Sequence, residues 1–406
     1  MCAGNPEVIS SIRTERKKGL VKGAFIEKTP ARVLFVINSL AGGGAERVMS
    51  TILRESEDKR ASFEIHLALL DQETRAYELP DWIEVHQLKC RFSLVRSIVQ
   101  LGGLVRRLAP ACIVSFLTRA NVACCLVGGA TPVIISERIN TDMQLGNQLR
   151  GRLSKLMVGI AYPRASRVIA VAEGVRRTLV STYGVANQKI DVIANPVDVE
   201  SIARKASAPV PDVQDEPYAF AMGRLVEQKN FQLLISAFAT AGIPGKLLIA
   251  GEGPERKNLT ELAVRLGVAD RVVLTGFLAN PYPFLARAQT FVLCSNAEGF
   301  PNALVEALSL GIPVIATNCA DGPAEILAGV ERQFIQGSQE QAEGILVPVN
   351  DLAAMAAALQ KLQNAELRER MSGAARERAR HFELKRAVSR YWKVIERQLA
   401  ETRADM

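Results

Sequence analysis

The strongest constraint on how this chain folds is a recurrence of short, almost wholly apolar runs separated by stretches of helical spacing. The runs fall at 33–37, 65–70, 112–116, 133–135, 168–171 and 190–193. A second series follows at 218–222, 247–250, 272–275, 290–293, 314–316 and 345–347. A strand apolar on both faces must be covered on both, as in a parallel sheet flanked by helices. Helical spacing at 44–56, 95–108, 146–164 and 173–184, then at 230–240, 254–267 and 303–310, supplies the covering layers. The rhythm is that of an α/β protein, and 406 residues are too many for one small core. We therefore expect two doubly wound parallel-sheet domains, 31–195 and 218–382, joined by a Pro/Asp-rich linker at 196–217. A basic tail at 1–30 is expected to be mobile. A helix at 383–406 carries Val388, Tyr391, Trp392, Ile395 and Leu399 at helical spacing and is expected to pack across the domain joint. Ligands of open parallel sheets bind beyond the strands' C-terminal ends, so two such sheets in tandem leave a cleft between them.

Charge is unevenly placed. The net charge of +8 arises entirely in residues 1–200, which hold 27 Lys/Arg against 19 Asp/Glu. Between Glu84 and Glu137 there is no acid, while Lys89, Arg91, Arg96, Arg106, Arg107 and Arg119 occur there. A face of this kind attracts anionic lipid or nucleic acid. No nucleic-acid module or set of stacking aromatics accompanies it, so an anionic membrane surface is the expected partner and nucleic acid is not. The seven cysteines lack paired metal-ligand spacing and read as buried thiols of a reducing compartment. No apolar leader follows the first residue, so no signal peptide is expected. The least charged stretch, 120–136, is shorter than the roughly 20 apolar residues needed to span a bilayer and reads as a helix, a turn and a buried strand.

Chemistry-bearing residues gather at the strand ends. Val33 to Ile37 runs into a glycine turn with Gly43, Gly44 and Glu46, after which helical spacing begins. That order of strand, glycine turn and helix suits an anion or a close ligand, and equally a purely structural turn. In the second domain Gly223, Arg224 and Lys229 follow the first strand, and a guanidinium with an ammonium there could neutralise a diphosphate. Gly251 and Gly253 follow the next strand and would let backbone approach a nucleotide. Glu298 stands eight positions before Glu306, with Gly299, Phe300, Pro301, Asn302, Ala303 and Leu304 between. Pro301 suits the start of a helix, whose free N–H groups and dipole favour an anion. One carboxylate would then face a ligand from the loop and the other from the helix flank, although a plain strand-to-helix turn has the same spacing.

Taken in order, Gly43-Gly44-Ala45-Glu46, Gly223-Arg224-Leu225 with Lys229, Ala250-Gly251-Glu252-Gly253 and the Glu298–Glu306 pair resemble the retaining glycosyltransferases of family 4, which have the GT-B fold. The resemblance covers about 32–400. Ser115-Phe116-Leu117, Ile135-Ser136-Glu137-Arg138 and the Gly43-Gly44-Ala45-Glu46-Arg47 start are similar to the branch that extends undecaprenyl-diphosphate-linked sugars. It implies two Rossmann-like domains, with the first binding the acceptor and the second a UDP-sugar. It implies further that Arg224 and Lys229 hold the donor diphosphate and stabilise the departing nucleotide. Glu306 would accept from ribose hydroxyls, and Glu298 with the N–H groups of Gly299 to Asn302 would hold the transferred sugar. Gly43, Gly44, Glu46, Arg119, Glu137 and Arg138 would lie on the acceptor or phosphate side. The implied enzyme transfers a hexose or N-acetylhexosamine to a polyprenyl-diphosphate-linked glycan, peripherally on the cytoplasmic membrane face. No cofactor and no metal are expected, since no Asp-x-Asp occurs. Two departures stand out. The histidines, His66, His86 and His381, match no catalytic position, and Arg138 stands where close relatives carry histidine. A sugar-nucleotide epimerase and a non-catalytic sugar-nucleotide-binding subunit are the alternatives. The first is disfavoured by the scarcity of histidine, and the second by the presence together of Arg224, Lys229, Glu298 and Glu306.

Overall fold

A computed structural model describes residues 30–138, 149–210 and 216–404. The basic tail expected at 1–30 lies outside these residues except for Pro30, as do 139–148 and the middle of the linker. The first sheet contains β1 (Ala31–Ile37), β2 (Phe63–Leu69), β3 (Glu84–Gln87), β4 (Cys112–Phe116), β5 (Val133–Glu137), β6 (Arg167–Ala170) and β7 (Ile190–Val192). Their order is β3-β2-β1-β4-β5-β6-β7, and every neighbouring pair is parallel. The second contains β8 (Tyr218–Met222), β9 (Lys246–Ala250), β10 (Val272–Gly276), β11 (Thr290–Leu293), β12 (Val314–Thr317), β13 (Gln339–Gln341) and β14 (Gly344–Val347). Its order is β10-β9-β8-β11-β12-β14-β13, parallel except for the β13–β14 pair. Each of the twelve apolar runs is a strand of one sheet or the other.

The central strands explain why. Val33 to Ile37 is wholly buried. On one face of the first sheet Val33, Phe35 and Ile37 pack under the helix Gly44–Arg54 and the C-terminal helix, while Leu34 and Val36 pack on the other face. That second cluster continues without a break to Phe220, Leu293 and Ala316 of the second sheet, so the two domains share apolar contact beneath the cleft. Burial pushes the thiols of Cys112, Cys125 and Cys294 up to about 12, as suits packing groups. The six described cysteines are all free.

The C-terminal helix, Leu384–Ala404, crosses back to the first sheet. Trp392 sits with its ring 6.2 Å from that of Phe35 and 5.0 Å from that of Phe63, and its Nε1 donates to Ser56 Oγ at 2.7 Å. The linker is more ordered than its composition suggests, because Asp198 accepts from the Ser201 N–H and caps a helix, Val199–Ala206. Just before it, Val197 N–H donates to Phe382 O at 2.9 Å. The two places where the chain changes domain are thus bonded to each other. Among the described residues no helix is long and apolar enough to cross a membrane.

Candidate active site

Strand order reverses between β8 and β11, and the loops leaving these two strands carry most of the expected donor-side residues. Glu227–Lys229 forms a single 3-10 turn, ended by Asn230 in the left-handed conformation (φ 51°). Asn230 then starts the next helix by accepting from the Leu233 N–H. This loop is laced to the one after β11. Asn296 N–H donates to Gln228 O at 2.8 Å, Gln228 Nε2 donates to Ala297 O at 2.8 Å, and Asn230 Nδ2 donates to Asn296 Oδ1 at 3.0 Å. The lacing brings Lys229 Nζ within 2.5 Å of Glu298 Oε1, which also accepts from Ser295 Oγ at 2.5 Å. Lys229 is therefore not a free cation awaiting a diphosphate, because Glu298 already neutralises it. Arg224 differs: it is exposed, and its side chain makes no hydrogen bond or ion pair with any described residue.

The glycines of these loops hold the loops together. A Cβ on Gly251, whose φ is +147°, would stand 1.9 Å from Gly223 O, and one on Gly253 would stand 2.3 Å from Leu225 O. Gly223 N–H donates to Ala250 O and Leu225 N–H to Glu252 O, both at 2.9 Å. The close approach that these glycines permit here is between two protein loops. Beyond Glu298, whose N–H is bonded to Ala320 O, Phe300 and Pro301 lead into the helix Asn302–Ser309, and Pro301 is its N-cap rather than its first residue. Leu304 N–H turns back to Pro301 O, while the first-turn N–H groups of Asn302 and Ala303 have no intrahelical partner and are open to an anion.

The facing wall is the reversal point of the first sheet, between β1 and β4. Gly43 caps the helix Gly44–Arg54, and a Cβ on Gly44 would lie 3.5 Å from Asn302 Nδ2, so the two helix starts meet. One residue here had been given no role in the site. Arg47 reaches across the cleft, its Nη2 2.5 Å from Glu306 Oε1 and its Nη1 donating to Tyr282 Oη at 3.4 Å. Glu306 is only 5% exposed, and its charge is the main reason the Arg47 pKa is raised. Three further bonds span the gap. Asn195 Nδ2 donates to Asn302 Oδ1 at 2.7 Å, and Glu325 accepts from the N–H groups of Glu173 and Gly174 at 2.8 and 3.1 Å. The cleft is closed by direct protein contacts, and in the sequence Arg47 stood out only as the last residue of the Gly43–Arg47 motif, with no role assigned to it.

Two sequence profiles together span most of the chain: Glycosyltransferase Family 4 matches residues 42–201 and Glycosyl transferases group 1 matches 203–378. The chain belongs to the family 4, group 1 glycosyltransferases. Among curated relatives of this glycosyltransferase is the N-acetylgalactosamine-N,N'-diacetylbacillosaminyl-diphospho-undecaprenol 4-alpha-N-acetylgalactosaminyltransferase of Campylobacter jejuni. It is 29% identical over 362 residues, covering 86% of this chain and 94% of the relative. The lipopolysaccharide 1,6-galactosyltransferase of Escherichia coli is 30% identical but aligns with 39% of this chain and 45% of its own length. Among solved structures, Anabaena HepE in complex with UDP superposes with a TM-score of 0.70 at 17% identity, covering 90% of this chain and 99% of HepE. These structural likenesses establish the GT-B fold.

In this glycosyltransferase the residues expected on the acceptor side have settings of their own. Glu46 is half-buried, and burial raises its carboxyl above the ordinary range. Arg119 is bonded to the buried Asp71 and donates to Asn38 Oδ1 at 3.4 Å, so its charge is already balanced. Glu137 is 1% exposed and accepts from Tyr162 Oη. Arg138, 6% exposed, lies 5.0 Å over the Phe116 ring and donates to Tyr391 Oη, Asn195 Oδ1 and Ser136 Oγ. A phosphate-facing Arg138 was the expectation. Its guanidinium instead links the C-terminal helix, through Asn195, to the Asn302 helix start across the cleft.

Proposed function

We propose that this enzyme transfers a hexose or N-acetylhexosamine from a UDP-sugar to a polyprenyl-diphosphate-linked glycan with retention of configuration. The observation that carries the reading is the meeting of Lys229, Glu298, Glu306 and the Asn302 helix start at the strand reversal of the second sheet. The full-length likeness to a transferase named for a diphospho-undecaprenol acceptor supports the acceptor class. The UDP of the HepE complex supports the nucleotide.

In this reading Arg224 carries the first charge to the donor diphosphate. Lys229 contributes by shifting from Glu298 toward the leaving phosphate as negative charge develops there, which stabilises the transition state more than the ground state. Glu298, released in the same movement, and the N–H groups from Gly299 to Asn302 hold the transferred sugar. Glu306 takes the ribose hydroxyls once Arg47 lets go of it. The departing diphosphate accepts the acceptor hydroxyl's proton on the face it leaves, which gives retention. Gly43, Gly44 and Glu46 border the acceptor, while Arg119, Glu137 and Arg138 shape its wall from behind. The glycan lies at the cytoplasmic membrane face. Phe92, Val95 and Val99, 71%, 70% and 67% exposed beside the exposed Arg91 and Arg96, meet anionic lipid there.

Purified enzyme incubated with a panel of UDP-sugars and short polyprenyl-diphosphate glycans should add one sugar mass to the lipid-linked product, with an anomeric linkage of the donor's configuration. Inversion would exclude the proposed proton path. An isomerised UDP-sugar formed without acceptor would favour an epimerase.

A further inference from the structure

On the outer edge of the first sheet, away from the strand reversal, two neighbouring strands bring two imidazoles and two carboxylates onto one face. β2 and β3 are parallel with His66 opposite Glu84 and Ala68 opposite His86. Because side chains alternate along a strand, Glu64 and His66 share a face of β2, and Glu84 and His86 share the same face of β3. His66 Nδ1 lies 3.2 Å from His86 Nε2 and 3.3 Å from Glu84 Oε2. His86 Nε2 is 3.7 Å from the other oxygen of Glu84.

The 3.2 and 3.3 Å separations around His66 Nδ1 are those of neighbouring corners of a small tetrahedron. Ligand bonds of about 2.0–2.1 Å to Zn²⁺ place the corners of a tetrahedral shell roughly 3.3–3.4 Å apart. One potential ligand atom from each of His66, His86 and Glu84 lies within 4.8 Å of the other two. The other side of His66 adds an independent observation. Its Nε2 is buried, lacks a hydrogen bond of proper geometry, and has Glu64 Oε1 3.2 Å away. Glu64 is itself held by Arg32 Nε at 2.9 Å. A cation on Nδ1 would fix the His66 proton on Nε2, facing Glu64, in the carboxylate–histidine–metal order that orients metal-bound imidazoles.

We propose that His66, His86 and Glu84 form a binding site for a divalent late first-row cation, Zn²⁺ being the best fit, with Glu64 orienting His66 and water completing the shell. The site ties β3, a four-residue polar edge strand, to β2. Its role is to hold the sheet edge, and it stands apart from the sugar-transfer cleft. Other carboxylates reach no comparable arrangement, since this is the one His/Cys/Asp/Glu group of its kind among the described residues.

The test is calorimetric titration of the chelator-treated full chain with ZnCl₂, alongside metal analysis after gel filtration. One equivalent per chain should bind, and Zn²⁺ should raise the melting temperature. His86→Gln should abolish both effects. Glu84→Gln, at an exposed position that the fold tolerates, should weaken binding at least tenfold, and Co²⁺ in its place should show the intense visible absorption of a tetrahedral centre. Absence of saturable binding would overturn the proposal, as would binding that is equal in the parent, His86→Gln and Glu84→Gln. No sugar substrate enters these measurements, so the outcome is independent of the proposed transfer reaction.

Discussion

Arg47→Met tests whether the cross-cleft ion pair competes with the donor. In the closed structure Arg47 Nη2 occupies Glu306 Oε1 at 2.5 Å, and Glu306 is the carboxylate proposed for the ribose. The Glu306 side chain is 7% exposed and that of Arg47 39% exposed, so the pair is neither a surface bridge nor fully buried. Exposed pairs contribute up to about 1 kcal/mol and a hydrogen bond to a charged group about 1.5–3 kcal/mol. A value near 1.5 kcal/mol, discounted for solvent on the arginine side, makes the open form roughly one-tenth of the population. Apparent affinity for a ligand that needs the open form falls by that fraction. Met keeps the apolar stem against the cleft wall and removes the competitor, so UDP should bind the variant about tenfold more tightly by calorimetry. Arg47→Lys should fall between the two, and Glu306→Gln should lose affinity whichever residue stands at 47. Unchanged or weaker UDP binding to Arg47→Met would refute the competition and make Arg47 a contributor to the donor site.

Three other perturbations have clear signs. Glu298→Gln keeps the shape and the Ser295 contact but leaves Lys229 unbalanced; turnover of the folded variant should fall by about a hundredfold or more, in the range of a lost transition-state contact, with a lower melting temperature from the broken ion pair, and near-parent turnover would remove Glu298 from the site. Gly251→Ala places a Cβ 1.9 Å from Gly223 O at a φ of +147°; strain and overpacking should cost on the order of 3 kcal/mol, read as a lower urea midpoint, and an unmoved midpoint would contradict the loop packing. Burial raises the Glu46 pKa above 4.5 in the fold, with Glu73 adding to the shift and its own N–H opposing it. The stability linked to its protonated form is full below pH 4.5 and is lost as pH rises through the raised value. Glu46→Gln should therefore melt higher than the parent at pH 7, with the difference vanishing below about pH 4.5.

How much of this was legible depended on the kind of physics involved. Buried parallel strands announce themselves because both faces must be apolar, so Val33 to Ile37 and its counterparts were readable in full. β3 and β13, Glu-Val-His-Gln and Gln-Glu-Gln, were not, since an edge strand exposed to water needs no apolar signature. The donor-side loops were legible in position, because glycines and a proline at strand ends are local signals. Their bonding was not: Lys229 meets Glu298 only because Gln228, Asn230 and Asn296 lace two loops about 70 residues apart. Arg138 and Arg47 show the same limit from opposite sides. One was expected to face a ligand and is enclosed by Phe116, Asn195 and Tyr391, while the other was passed over and reaches across the cleft. Neither outcome is encoded by spacing along the chain.

The distribution of paired charges points to how such a cleft works. Arg119, Lys229 and Arg47 each hold a carboxylate, whereas the exposed Arg224 has none among the described residues. An approaching diphosphate would therefore meet Arg224 first, at no cost in broken ion pairs. Only after that contact would it reach Lys229, whose release from Glu298 supplies a cation to the phosphate and a carboxylate to the sugar together. Opening Arg47 from Glu306 would free one carboxylate for the ribose. In the proposed reading the Lys229–Glu298 exchange replaces one protein ion pair with two contacts to the ligand, and selectivity for the whole nucleotide sugar would follow: inorganic diphosphate would engage Arg224 and Lys229 but leave Glu298 and Glu306 without hydroxyls. Diphosphate should then inhibit far more weakly than UDP, and UDP more weakly than the intact donor binds.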